Sequence, residues 1–138
     1  MEIKIWRVNM KPSEVLRVSE SLKLVGRPIA YYPVIANVVG SVVATVFLCQ
    51  FLYWQGKENK ENGGWIYKTM EEIKEETGLS RSEQETARKR LKELGILEEK
   101  REGLPARLFY KFNWEKLDEL IYQHYLNNAP KEGDVANK

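Results

Sequence analysis

From Pro28 to Gly56 the chain carries no charged residue. The inner part of that stretch, Val34 to Trp54 (VIANVVGSVVATVFLCQFLYW), is long enough to cross a bilayer, for which about 20 apolar residues suffice. Asn37, Ser41 and Thr45 recur every four residues, so a continuous helix here bears a polar seam on one side. Small polar residues also line packing faces of membrane helices, so the seam does not decide by itself. The strongly charged remainder of the chain tips the reading toward one long buried helix. It opens at Pro33 or Val34, ends near Gly56 and lies at the centre of a globular domain, with no membrane span.

Composition narrows the function classes. The chain has 138 residues, enough for one domain. Lys and Arg number 22 against 20 Asp and Glu, a net charge of +2, which excludes a histone-like polycation. Cys49 is the only cysteine, which excludes a disulfide scaffold, and with His124 the only histidine no structural zinc site can be assembled. His124 has no partner motif, and no G-x-x-x-x-G-K phosphate loop occurs, so the chain reads as no enzyme and as needing neither cofactor nor metal. The N-terminus, MEIKIWRVNMK, lacks the apolar core of a signal peptide, so the expected location is cytoplasmic, with Cys49 reduced and buried.

The charge is unevenly spread. Residues 1–33 hold six bases and three acids, residues 57–112 thirteen and twelve, and residues 113–138 three and five. Met70 to Thr77 contains four acids and one base, whereas Arg81 to Lys92 contains five bases and two acids. Neighbouring elements of opposite sign suggest that one of them faces a polyanion.

Local signals place the elements. Residues 2–8 suit a short strand or arm and residues 13–25 a short helix; 1–33 together read as an N-terminal extension. Tyr31 and Tyr32 before Pro33 read as a packed loop in preference to a binding loop. Gly64 to Lys68 reads as a strand, with Trp54, Trp65 and Trp114 assigned to the core and Trp6 left open between core and partner contact. Thr69-x-x-Glu72 and Ser80-x-x-Glu83 are two capping boxes, each opening a helix. The first helix buries Met70, Ile73 and Thr77, turns its four acids to solvent, and stops at Gly78. The second buries Ala87, Leu91 and Leu94 and ends at Gly95. Segments 96–101 and 108–112 flank a Gly103–Pro105 turn and form a hairpin. Asn113 caps a last helix, Trp114 to about Leu126, with Leu117, Leu120 or Ile121, and Tyr125 inward; residues 127–138 read as a frayed tail. The resulting fold class is α+β, mostly helical. It is a winged helix-turn-helix over residues 34–126, with a three-stranded sheet, a long buried N-terminal helix and a C-terminal helix.

The stretch GWIYKTMEEIKEETGLSRSEQETARKRLKELGILEEKREGLPARLFYKFN resembles the winged-helix domain of phage and plasmid replication initiators, the replisome-organiser and DnaD-like proteins. GRPIAYYP and GSVVATVFLCQFLYW resemble the helix that precedes it in that group. The resemblance covers about two thirds of the chain and implies double-stranded DNA binding near an origin. It also implies replication partners such as a helicase or helicase loader. Only some 25 residues follow Asn113, too few for the family's second, recruiting domain, so the chain is expected to be either an isolated N-terminal module or a small stand-alone protein.

With Ala87, Leu91 and Leu94 inward, a step of about 100° per residue turns Ser82, Glu85 and Lys89 outward, flanked by Arg81, Arg88 and Lys92. Arg81 and Arg88 are the expected base readers, because guanidinium pairs bidentately with guanine. Ser82 and Glu85 are expected at base edges, and Lys89 and Lys92 at phosphates. Gln84 falls nearer the buried side. Lys100, Arg101 and Arg107 would add wing contacts, and Lys68 with Thr69 would offer a phosphate site at a helix start. The competing view is a solvated helix face in which Glu83, Glu85 and Glu93 pair with Arg88, Lys89 and Arg90. Two rival functions share the fold: a homodimeric transcriptional regulator whose arm is residues 1–33, and a protein-interaction module without DNA binding.

Overall fold

The computed structural model describes residues 25, 27–54 and 63–128. The strand and helix expected within residues 2–24, Trp6, and the tail beyond Asn128 lie outside the described residues. Among the described residues, five helices and a three-stranded antiparallel sheet make an α+β domain, mostly helical.

The uncharged stretch is two helices, α1 (Pro33–Val39) and α2 (Val42–Trp54), not the single helix expected. Their axes bend by 120°. The break has a local cause. Gly40 ends α1 in the left-handed region at φ 80° and returns its N–H to the Ala36 carbonyl. Ser41 then caps α2, its Oγ accepting from the Ala44 N–H at 3.1 Å. Among the described residues no single helix is long and apolar enough to cross a membrane, and the pair reaches that length only across its bend.

Apolar nearly all round, α2 is buried nearly all round: Ala44, Phe47, Leu48, Cys49, Phe51 and Trp54 lie in the core. Burial pushes the Cys49 thiol pKa up, keeping the group protonated, although a hydrogen bond with the Tyr32 backbone opposes it. Gln50 is buried in the same helix and fully engaged. Its Oε1 accepts from Arg27 at 3.2 Å and its Nε2 donates to Glu76 at 3.2 Å.

Strand β1 (Ile66–Tyr67), shorter than the segment expected, pairs with β3 (Arg107–Phe112), which pairs with β2 (Leu97–Glu102). Leu97 faces Phe112 and Lys100 faces Phe109 in the hairpin register. The inner face carries Leu97, Tyr110 and Phe112. Phe51 meets Tyr110 and Phe112 with ring centroids 5.2 and 4.8 Å apart, joining α2 to the sheet.

Helices α3 (Met70–Thr77) and α4 (Arg81–Glu93) begin with complete capping boxes at Thr69 and Ser80. Between them Gly78 takes φ 77°, and Leu79 drops into the core. Gln84, fully buried, fixes the angle between the helices by donating from Nε2 to the carbonyls of Met70 (3.0 Å) and Leu79 (3.1 Å). Ala87 and Leu91 pack α4 onto α2. Helix α5 (Trp114–Asn128) buries Leu117 and leans on α1, with Trp114 stacked on Phe112. It runs two residues past the expected boundary, and Tyr125 is exposed instead of inward. Tyr31 and Tyr32, expected to be packed, are exposed.

Candidate nucleic-acid interface

Helix α4 owes its outward face to what it buries. With Gln84, Ala87 and Leu91 inward, Arg81, Ser82, Glu85, Lys89 and Lys92 are all exposed. Thr86, also exposed, extends this face beyond the residues singled out from the sequence, because it lies one turn after Ser82 and bonds that residue's carbonyl at 3.0 Å. The helix start is held by reciprocal bonds between Ser80 and Glu83, at 2.9 and 3.2 Å. Those bonds from Ser80 hold the Glu83 carboxyl below the usual carboxylate range.

Ion pairing sorts the basic residues. Arg81 has a side chain 80% exposed and makes only a loose pair with Glu85 at 3.5 Å. A surface pair of this kind holds its partners weakly. Lys89 makes no ion pair among the described residues. Lys92 reaches Glu99 on β2 at 2.7 Å while half its side chain stays in solvent.

Arg88 departs from the expectation. Its side chain is 11% exposed and pairs through Nε with Glu99, itself 10% exposed. The expectation of an outward Arg88 failed because its partner lies across the tertiary contact on β2, not along the helix. Of the within-helix pairs expected, Arg90–Glu93 forms at 3.8 Å. Burial alone would raise the Glu99 pKa, but hydrogen bonds from Arg88 and Lys92, and their charges, hold it below the usual range. The same pair raises the Arg88 pKa against the cost of its burial.

Lys68 and Thr69 are likewise engaged internally. The Thr69 hydroxyl accepts from the Glu72 N–H at 3.1 Å, and the Glu72 carboxylate accepts from the Thr69 N–H at 3.3 Å, so a carboxylate already fills the start of α3. Lys68 bonds Glu76 at 3.2 Å and lies 4.0 Å from the centre of the Trp54 ring. Of the four acids of α3, only Glu71 and Glu75 form the exposed face expected of all four; Glu72 and Glu76 turn toward these partners.

The hairpin presents Arg101 and Arg107 at its exposed end. Lys100 pairs with Glu102 at 3.2 Å and sits 4.6 Å from the Trp65 ring centre. Trp65 is therefore a half-buried residue on the outer side of the sheet, not part of the core. Lys111, missed in the sequence, lies on that side 5.8 Å from the same ring. The signal was available in the strand alternation, which puts Arg107, Phe109 and Lys111 on one face.

Compared with known protein families, with curated proteins and with solved structures, the chain finds no match.

Proposed function

We infer that the chain is a winged helix-turn-helix that binds double-stranded DNA, with α4 as the helix entering the major groove and the β2–β3 hairpin as the wing. The observation that carries the reading is the exposed polar face of α4 bearing Arg81, Ser82, Glu85, Lys89 and Lys92, tied to the hairpin by the Lys92–Glu99 pair, with Arg101 and Arg107 exposed on that hairpin. A helix of about 13 residues fits the major groove, and its N-terminal half supplies the base-edge contacts. Arg81 is the base reader of this scheme, with Ser82, Glu85 and Thr86 beside it. Lys89 and Lys92 neutralise phosphates. Arg88 supports the wing through Glu99 and leaves direct reading to its neighbours. The resemblance to phage and plasmid initiators supports a role in DNA replication and makes a helicase or helicase loader the protein partner to test.

The test is fluorescence anisotropy with random duplex DNA over a salt series. Wild type is expected to bind with log K falling by about 0.9 per neutralised phosphate for each unit of log salt. Arg81→Ala/Lys89→Ala is expected to weaken binding and, through the phosphate contact of Lys89, to flatten the slope by about 0.9. Absence of duplex binding at low salt would overturn the reading. It would favour the protein-interaction module, which the exposed Glu71 and Glu75 of α3 support.

A further inference from the structure

The outer face of the sheet has a composition that a solvated face does not require. Alternation turns Tyr110, Phe112 and Leu97 inward to the core, and it turns Tyr67, Phe109, Lys111 and Lys100 outward. Trp65, next to β1, falls on the same side. The Tyr67 and Phe109 rings are paired in register and lie 5.5 Å apart. Tyr67 remains 40% exposed. Three cations stand over these rings. Lys100 Nζ is 4.6 Å from the Trp65 centroid and 5.8 Å from that of Phe109, Arg107 is 5.5 Å from Tyr67, and Lys111 is 5.8 Å from Trp65.

We propose that this face, built from Trp65, Tyr67, Phe109, Lys100, Arg107 and Lys111, is a stacking platform for single-stranded nucleic acid. The occupant follows from the chemistry. Aromatic faces stack on any base, and cations spaced among them track a phosphate backbone. A duplex keeps its bases paired and stacked on one another, so it cannot use the rings; unpaired bases can. Lysine and arginine heads on long stems move from ring to phosphate without disturbing the strands beneath. Two acids share the face, Glu98 opposite Lys111 and Glu102 beside Lys100 at 3.2 Å. They lower the field and favour a modest affinity, while the salt dependence follows the number of phosphates the three cations neutralise. The site lies on the sheet and not on α4, shares Arg107 with the proposed wing, and stands whether or not that helix enters a major groove.

The test uses the full chain and a fluorescein-labelled oligothymidylate of about 12 nucleotides, within the range such platforms cover. An oligouridylate of the same length distinguishes RNA from DNA as the strand. Binding should weaken about 5- to 150-fold in Tyr67→Leu and in Trp65→Leu, the range for losing one base stack. Lys111→Gln, on the outer side of the sheet, should weaken it less and flatten the salt slope. Glu102→Gln should tighten it. Arg81→Ala/Lys89→Ala should leave it within about twofold, because those residues lie off the sheet. Thermal melting of each variant verifies that it is folded. No binding of either strand at low salt would overturn the proposal. So would equal binding by folded Tyr67→Leu and Trp65→Leu, or loss of binding in the Arg81→Ala/Lys89→Ala variant alone.

Discussion

Arg90 donates from Nε to the Val39 carbonyl at 2.7 Å, across 51 residues of sequence. The helix proposed to face DNA thereby satisfies the last turn of α1, whose carbonyls have no helical partner. A Cβ on Gly40 would stand 3.3 Å from the same guanidinium, at a backbone φ of 80°. Gly40→Ala is expected to destabilise by about 1–2 kcal/mol from the left-handed conformation alone. Arg90→Ala is expected to cost about 1–2 kcal/mol, the worth of one charge-assisted bond at a partly exposed site. Urea denaturation measures both. If Gly40→Ala is neutral, the bend is not fixed where the structure puts it.

Arg88 and Lys89 are adjacent and should behave oppositely. Removing Arg88 leaves Glu99 buried with only Lys92, so Arg88→Ala is expected to cost about 2 kcal/mol of stability, less than a fully orphaned buried charge. Lys89→Ala should change stability by less than about 0.5 kcal/mol, as surface substitutions do, while weakening duplex binding. Melting and anisotropy on the two single variants separate the effects. Equal stabilities would show that the Arg88–Glu99 pair contributes nothing.

Acid should weaken the fold through Glu99. Its folded pKa lies below the ordinary 4.5, so its stabilising contribution is complete above that value and is lost as pH falls through the folded pKa. Glu83, also lowered, acts in the same direction. The urea midpoint of wild type should therefore drop as pH falls below 4.5, and that of Glu99→Gln should drop less. Parallel curves would remove Glu99 from the account.

Tyr110 predicts the reverse of a typical core substitution. Its hydroxyl is buried with no hydrogen-bond partner among the described residues, and burial pushes its pKa up to about 12. Tyr110→Phe keeps the ring against Phe47 and Phe51 and removes the orphaned group. The variant should be neutral, or more stable by up to about 1 kcal/mol. A loss greater than about 1 kcal/mol in thermal or urea unfolding would mean that the hydroxyl is satisfied.

What the sequence revealed and what it hid divide along contact distance. Both capping boxes were legible because each bond closes within three residues, Thr69 with Glu72 and Ser80 with Glu83. The hairpin was legible because Gly103 and Pro105 punctuate two β-rich runs. The break at Gly40 was not, since Gly and Ser are tolerated inside apolar helices and the clamping arginine lies 51 residues away. The burial of Arg88 was hidden for the same reason, its partner Glu99 being on another element. On α4, Gln84 was placed correctly near the buried side by helical spacing, and so were the outward positions of Ser82, Glu85 and Lys89. Trp65 lies off the core although its bulk and hydrophobicity argue for it, because only strand pairing tells which face a residue takes.

The two bonds of Gln84 make its position a matter of chemistry rather than shape. Both amide hydrogens point at carbonyl oxygens, one on Met70 and one on Leu79. Deamidation would exchange that nitrogen for oxygen with almost no change in volume. Two attractions would become two repulsions at a buried site. Complete burial shields the amide from hydrolysis for as long as the domain stays closed. Each opening of the turn exposes it, so the ageing of this one side chain would record how often α3 and α4 have come apart.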